Sequence, residues 1–277
     1  MKTAGQAPPE AAEPIDASGI AVVVFLALVA LPMVLFLWAP WPLETKALAV
    51  LHGLGAQRSS RSLWFGRDRL PLGARMTGVY GGVLVTQLYL LARGRLRAVR
   101  LPSLAIVAAL GVFVALVAVD GLNSLAQDLG RPTAYPPSNA LRLATGGLAG
   151  TTLGVALWLL LGRAIWAPAL RRRTPVLHGW WDLLSLLGAV AALCLVAGCG
   201  WSPLFAPLAV LQVVEAVLAL GLVCLAVIEV GRGSGACGVR ELAGPACGAL
   251  LAAYLALLGS ASLRAFLEAG LRLKELS

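Results

Sequence analysis

Residues 18–38, SGIAVVVFLALVALPMVLFLW, hold no charged side chain. As a helix they are long enough to cross the hydrocarbon core of a bilayer, which takes about 20 residues. Comparable runs return at 76–92, 103–120, 144–164, 180–199, 205–230 and 244–262. This recurrence constrains the chain more than any other feature. A backbone surrounded by lipid must satisfy its hydrogen bonds internally, so the expected fold is all-α: a polytopic integral membrane protein with about seven transmembrane helices. Composition agrees, because only 13% of residues are charged, against about 25% in soluble chains.

The organisation expected from these runs is a disordered Pro/Ala/Glu-rich tail over 1–17, a single transmembrane helical domain over 18–265, and a C-terminal tail over 266–277. The first run lacks a small-x-small cleavage site and a basic flank, so it reads as a retained helix rather than a signal peptide. The piece ALAVLHGLGA, 47–56, is too short to span. It either extends the first helix or lies at the interface.

The net charge is +9, carried by 19 arginines and 3 lysines. In a membrane chain such a surplus reflects basic cytoplasmic loops, not nucleic acid. Arg93, Arg95, Arg97 and Arg100 fill one short loop. Arg163 and Arg171 to Arg173 fill a second, and Arg232 and Arg240 flank a third. With seven spans all three share a face. The expected localisation is therefore the cell membrane, multi-pass, with the N-terminus cytoplasmic. The same count leaves Arg58, Arg61, Arg67, Arg69 and Arg75 outside, together with Asp120, Arg131 and Arg142. Arginines on the disfavoured side of the charge rule need a local reason, such as an anionic ligand or buried ion pairs.

Two helix starts resemble each other. R-M-T-G-V-Y-G-G, Arg75 to Gly82, and R-L-A-T-G-G-L-A-G, Arg142 to Gly150, both place an arginine before Thr-Gly and further glycines. Gly78 and Gly82, and Gly146, Gly150 and Gly154, recur every four residues. That spacing lets helix backbones approach closely in lipid, so the second and fourth spans are expected to pack together. An arginine at a helix N-terminus opposes the helix dipole. Asp120, read as the end of the third span, is positioned to pair with Arg75 or Arg142. The alternative is an anion held by the arginines, the Thr hydroxyls and the free N–H groups of the helix starts.

These stretches resemble a known family. His52, Arg61-Ser62-Leu63, Leu70-Pro71-Leu72, Gly73-Ala74-Arg75 and Thr77-Gly78-Val79-Tyr80-Gly81-Gly82 are similar to the first motif of the domain-of-unknown-function 2085 family, predicted prokaryotic membrane proteins. Asp120-Gly121-Leu122-Asn123 and Ser138-Asn139-x-Leu141-Arg142-x-x-Thr145-Gly146-x-Leu148-x-Gly150 are similar to the second. The matches follow family order and cover about a third of the chain. The resemblance implies a fold and a polar site but no reaction. The family pattern has cysteines where this chain has Leu51, Gly73 and Met76, and those would suggest metal or redox chemistry. Without those thiolates no metal site and no cofactor is expected, since His52 alone cannot replace them. The five cysteines present form no C-x-x-C pair and read as apolar packing residues.

Elsewhere, Glu215 lies mid-span, where a carboxylate is costly and either bonds a neighbouring helix or handles protons or cations. His52 and His178 fall on opposite faces. Trp38, Trp41, Trp180, Trp181 and Trp201 read as interfacial belts, and Leu63-Trp64-Phe65 as a surface anchor or lid. No nucleotide-binding, hydrolase or metalloprotease fingerprint occurs.

The function expected first is binding or transport of an anionic ligand, a lipid phosphate, at an outer-face pocket between the second, third and fourth spans. Arg58, Arg61, Arg75, Thr77, Asp120, Asn123, Asn139, Arg142 and Thr145 would line it, with membrane lipids as partners. One alternative is an enzyme acting on a lipid-linked substrate, with His52 or Asp120 as acid/base. The other is an accessory subunit of a membrane complex, bound to protein partners, with the Arg–Asp cluster purely structural.

Overall fold

The computed structural model describes residues 17–233 and 235–275. Among the described residues eight α-helices carry the fold: α1 (Ala17–Trp38), α2 (Leu43–Val50), α3 (Ala74–Ala92), α4 (Leu104–Asp128), α5 (Asn139–Ile165), α6 (Trp180–Gly198), α7 (Phe205–Arg232) and α8 (Ala243–Glu275). Six of them, α1 and α4 to α8, are long and apolar enough to cross a membrane. The remaining expected span is α3, whose 19 residues are more polar and are buried along most of one side. The expected all-α, multi-pass membrane architecture is what the chain adopts, with α3 enclosed by its neighbours. Glycines stop several helices: Gly94, Gly130, Gly200 and Gly233 follow α3, α4, α6 and α7 with φ between 65° and 68°, the left-handed conformation that ends a helix without a Cβ penalty.

The centre of the bundle is the parallel pair α3 and α5. Gly78 faces Leu143 and Gly147, Gly82 faces Gly150, and Gly154 faces Thr86. A Cβ on Gly78 would stand 2.2 Å from the Leu143 carbonyl, and one on Gly150 would stand 2.2 Å from that of Val79. The glycine ladder therefore packs backbone on backbone, as the spacing predicts. Gln87 Nε2 adds a bond to the Gly154 carbonyl at 3.1 Å. Around the pair, α4 and α6 close one side, α7 the other, and α1 and α8 lie outside α7.

Strands β1 (Ser62–Phe65) and β2 (Asp68–Gly73) form an antiparallel hairpin. Leu63-Trp64-Phe65, expected as a surface anchor or lid, belongs to β1. Gly66, at a φ of 67°, opens the two-residue Gly66-Arg67 turn, where glycine is favoured. Phe65, Leu70 and Leu72 bury on α7 and α2. Pro71 is tolerated because this sheet has only edge strands. Asn139 Nδ2 donates to the Ser60 and Ser62 carbonyls, both at 3.2 Å, tying the start of α5 to this hairpin end. At the other end, β3 (Ala98–Arg100) runs parallel to β4 (Arg172–Pro175). Trp158 and Trp166 donate their indole N–H groups to the Arg95 and Leu96 carbonyls. Trp166 also bridges to Ala236, so the three arginine-rich loops share this mini-sheet end, as expected.

Three boundaries differ from expectation. Helix α4 runs on to Asp128 instead of ending at Asp120. Arg131, three residues further, still donates its N–H to the Ala126 carbonyl. Helix α5 starts at Asn139, capped by Ser138, whose hydroxyl accepts the Leu141 N–H at 3.2 Å. Helix α8 continues to Glu275, into the residues read as a tail. Arg264 anchors it, donating to the carbonyls of His52, Gly55 and Ala56. The 47–56 piece divides into the end of α2 and a 3-10 turn over His52–Leu54. The tail expected over 1–17 lies outside the described residues except for Ala17, which begins α1. Trp38, Trp41, Trp180, Trp181 and Trp201 are exposed at helix ends, where an aromatic belt would lie.

Candidate functional site

The extension of α4 builds the site. Asp120, Ser124, Gln127 and Asp128 recur at helical spacing and form a polar face at the hairpin end. Against it come Arg75 from the first turn of α3, Arg142 from the first turn of α5, and Arg58 and Arg61 from the segment before β1. Asp120 is 1% exposed. It takes Arg75 Nε at 3.1 Å and a second, short contact from Nη2, and the Tyr135 hydroxyl donates to its other oxygen at 3.2 Å. The pair that forms is Asp120–Arg75, one of the two alternatives open to Asp120. Burial and the Asp120 charge push the Tyr135 phenol above its ordinary value. Asp128 serves Arg58 at 3.1 Å and also pairs with Arg61.

Arg142 is different. Its side chain is buried, the residue being 6% exposed, and among the described residues no carboxylate lies within ion-pair distance. Its partners are neutral: Asn139 Oδ1 at 3.0 Å, Ser124 Oγ at 3.4 Å and Gln127 Oε1 at 3.5 Å. Four arginines thus share two carboxylates. Arg142 carries the part of the surplus charge that the protein leaves uncompensated.

Several expected roles change. The Thr77 hydroxyl donates to the Gly73 carbonyl and accepts from Gln212 of α7, so it faces away from the arginines. Thr145 bonds back to the Leu141 carbonyl at 2.9 Å within its own helix. Neither threonine is available to an anion beside Arg142. Asn123, expected to line the pocket, is engaged elsewhere: it receives the Ala134 N–H at 2.8 Å and donates to the Tyr135 carbonyl at 2.9 Å, fixing the loop after α4. Asn139 does reach Arg142. His52 joins another group, with Gln57 at 3.2 Å and Glu268 at 3.4 Å. Ser124, Gln127, Asp128 and Tyr135 escaped the sequence reading. For the first three the signal is the helical period continuing past Asp120; Tyr135, in the loop after α4, carries none.

A second polar group sits at the mini-sheet end. Asp182 accepts from Arg93 at 2.8 Å, Arg95 at 3.4 Å and the His178 N–H at 2.9 Å. Here one carboxylate holds the loops that flank β3 and β4. Among the described residues no group of three or more potential metal ligands gathers.

Residues 55–156 match the family model described as predicted membrane protein, DUF2085. The matched stretch contains every member of the arginine cluster and ends before α6, so Asp182, Gln212 and Glu215 lie beyond it. No curated protein and no solved structure matches the chain.

Proposed function

We propose that the cluster between α3, α4 and α5 binds an anionic group at the membrane surface, a phosphate on a lipid headgroup. The observation that carries this reading is Arg142, a buried guanidinium whose nearest partners are all neutral. Burying a charge without a counter-ion is costly unless something compensates it. Arg58, with its side chain 53% exposed, and Arg61 form the open rim. A phosphate arriving there replaces Asp128 as the counter-ion of both. Arginine forks suit phosphate oxygens because the two N–H groups match them geometrically. Arg142 lies behind the rim and adds its field in a poorly solvated place. Asp120 and Tyr135 keep Arg75 aligned. Carriage of the lipid across the membrane would begin from this same bound state.

One observation favours the accessory-subunit reading instead. Three of the four arginines already have carboxylate partners, which an internal brace requires and a ligand site does not. The enzyme reading has less support, because both Asp120 oxygens are engaged and His52 pairs with Glu268.

Native mass spectrometry with lipid identification separates these readings. Wild type, Arg142→Met and the double variant Arg58→Gln/Arg61→Gln are compared after gentle solubilisation. An anionic lipid retained by wild type and lost from both variants supports the site and names its headgroup class. Equal lipid retention in all three, with stability alone reduced, removes the ligand and leaves the brace.

A further inference from the structure

Helix α7 carries two polar residues one turn apart on the side that meets α3, and they are treated differently. Gln212 is satisfied across the bundle: its Oε1 accepts the Leu72 N–H at 3.1 Å and its Nε2 donates to Thr77 Oγ1 at 2.8 Å. Glu215 is 4% exposed and has no hydrogen-bond or ion-pair partner among the described residues. It borders a small cavity of about 10 Å³ that also touches Thr77, Gly78, Leu143, Cys194 and Gln212. That volume is at the threshold for one water molecule, and the lining supplies the polar groups a buried water needs.

We infer that Glu215 is a proton-binding site inside the membrane: a neutral carboxylic acid that exchanges its proton through water in this cavity, from the hairpin end of the bundle, where Thr77 and Gln212 lie.

The surroundings fix both parts of this statement. No charged side chain lines the cavity with Glu215. Helix α3 contributes Thr77 and Gly78, and α5 contributes Leu143. The α6 side brings Leu193 and Cys194, and Cys194 is the other titratable group of the lining, its Sγ set 3.9 Å from the Leu143 carbonyl. Tyr80 of α3 belongs to the adjoining apolar cluster with Val213 and Ala216. An ionised carboxylate here would have no cation and little water, so the neutral acid is the form that fits. The direction follows from the order of polar groups. Leu72, Thr77 and Gln212 all lie between Glu215 and the hairpin end. Toward the other end α7 is apolar from Ala216 to Ile228, and Glu229 is already paired with Arg232 at 3.0 Å. Thr86 and Gln87 of α3 and Thr151 of α5 lie toward that end too, but they donate to the Gly82, Gly154 and Gly147 carbonyls and do not border this cavity, so the proton enters and leaves on the hairpin side. The site loads and unloads without forming a path through the membrane.

Dicyclohexylcarbodiimide is the probe, because it attacks protonated carboxyls in apolar surroundings. The acid proton passes to a carbodiimide nitrogen and the carboxylate oxygen adds to the central carbon. The resulting O-acylisourea rearranges to a stable N-acylurea that retains the whole reagent. Peptide mapping of wild-type protein in liposomes is expected to find this adduct on Glu215 at neutral pH, with the labelling rate falling as the medium is made alkaline. Absence of the adduct on Glu215 while other carboxyls react overturns the site, and this test needs no variant. Infrared spectroscopy gives a second measurement: a protonated-carboxyl C=O band present in wild type and missing in Glu215→Gln. If the two spectra coincide in that region, the neutral acid is excluded. Thr77→Val tests the route. At unchanged elution volume it should slow several-fold the deuterium shift of that C=O band after transfer to D2O, and an unchanged rate overturns exchange through water held at Thr77.

Discussion

Arg75 and Arg142 converge on one acceptor, the Ser124 hydroxyl, at 3.0 and 3.4 Å. They come from the first turns of two parallel helices whose backbones touch through glycines. That close approach sets two positive charges near each other, and of the two α4 carboxylates in the cluster only Asp120 reaches them, bound to Arg75. The asymmetry between the two arginines separates structural from functional roles at this site.

Asp120→Asn leaves Arg75 without its counter-ion and raises the net charge of the cluster. The expected loss is about 3 kcal/mol, at the lower edge of the range for breaking a buried pair, because Arg75 keeps some contact with solvent. Arg142→Met replaces an uncompensated charge with an apolar chain of similar reach and should change stability by less than about 1 kcal/mol, or raise it. Thermal unfolding in detergent followed by fluorescence-detected size exclusion ranks the two. Equal destabilisation would make Arg142 part of the brace.

Gly150→Ala puts a methyl group against the Val79 carbonyl, and neither backbone can yield without separating α3 from α5. Loss of the monodisperse folded peak is expected. Gly188→Ala on α6, where nothing lies within 4 Å of the added methyl, is the control. It should be neutral or stabilising by about 0.5–1 kcal/mol, the helix preference of alanine over glycine. Two similar elution profiles would contradict the backbone contact.

Asn123→Ala removes two of the bonds that hold the Arg131–Pro137 loop and leaves that of Tyr135 to Asp120. Ala134 is exposed, so limited digestion with proteinase K reads the effect. Cleavage in this loop should accelerate by roughly tenfold, consistent with losing about 1–2 kcal/mol of local protection. An unchanged digestion rate would show that the proline-rich loop holds its own shape.

Orientation is open to direct measurement. In a background with the five native cysteines replaced, Arg67→Cys and Arg131→Cys report the hairpin end, and Arg173→Cys and Arg240→Cys the mini-sheet end. A membrane-impermeant maleimide on intact cells should label the first two, and the second two only after permeabilisation. The opposite pattern would place the arginine cluster in the cytoplasm, where headgroups of the inner leaflet are its ligands.

The sequence by itself determined the solvent of this protein, its helical class and its central helix pair. Apolar runs of membrane length leave no alternative to helices. A glycine every fourth residue on α3 and α5 fixes which faces meet, because such spacing serves close backbone approach. The segregation of Arg93 to Arg100 with Arg171 to Arg173 was legible for the same reason: charge repeats along a chain whose span count decides the sides.

Only the tertiary structure decided how each polar group is spent. A threonine after an arginine is chemically able to hold an anion, yet Thr77 turns to Gln212, 135 residues away, and Thr145 turns to its own helix. Asp120 read as a helix end, yet α4 continues past it and brings Ser124, Gln127 and Asp128 into the cluster. Hydropathy marks where a helix leaves lipid and not where its backbone stops bonding. Hydrogen-bond partners that distant in the chain are settled by packing, and the sequence carries no local signal for them.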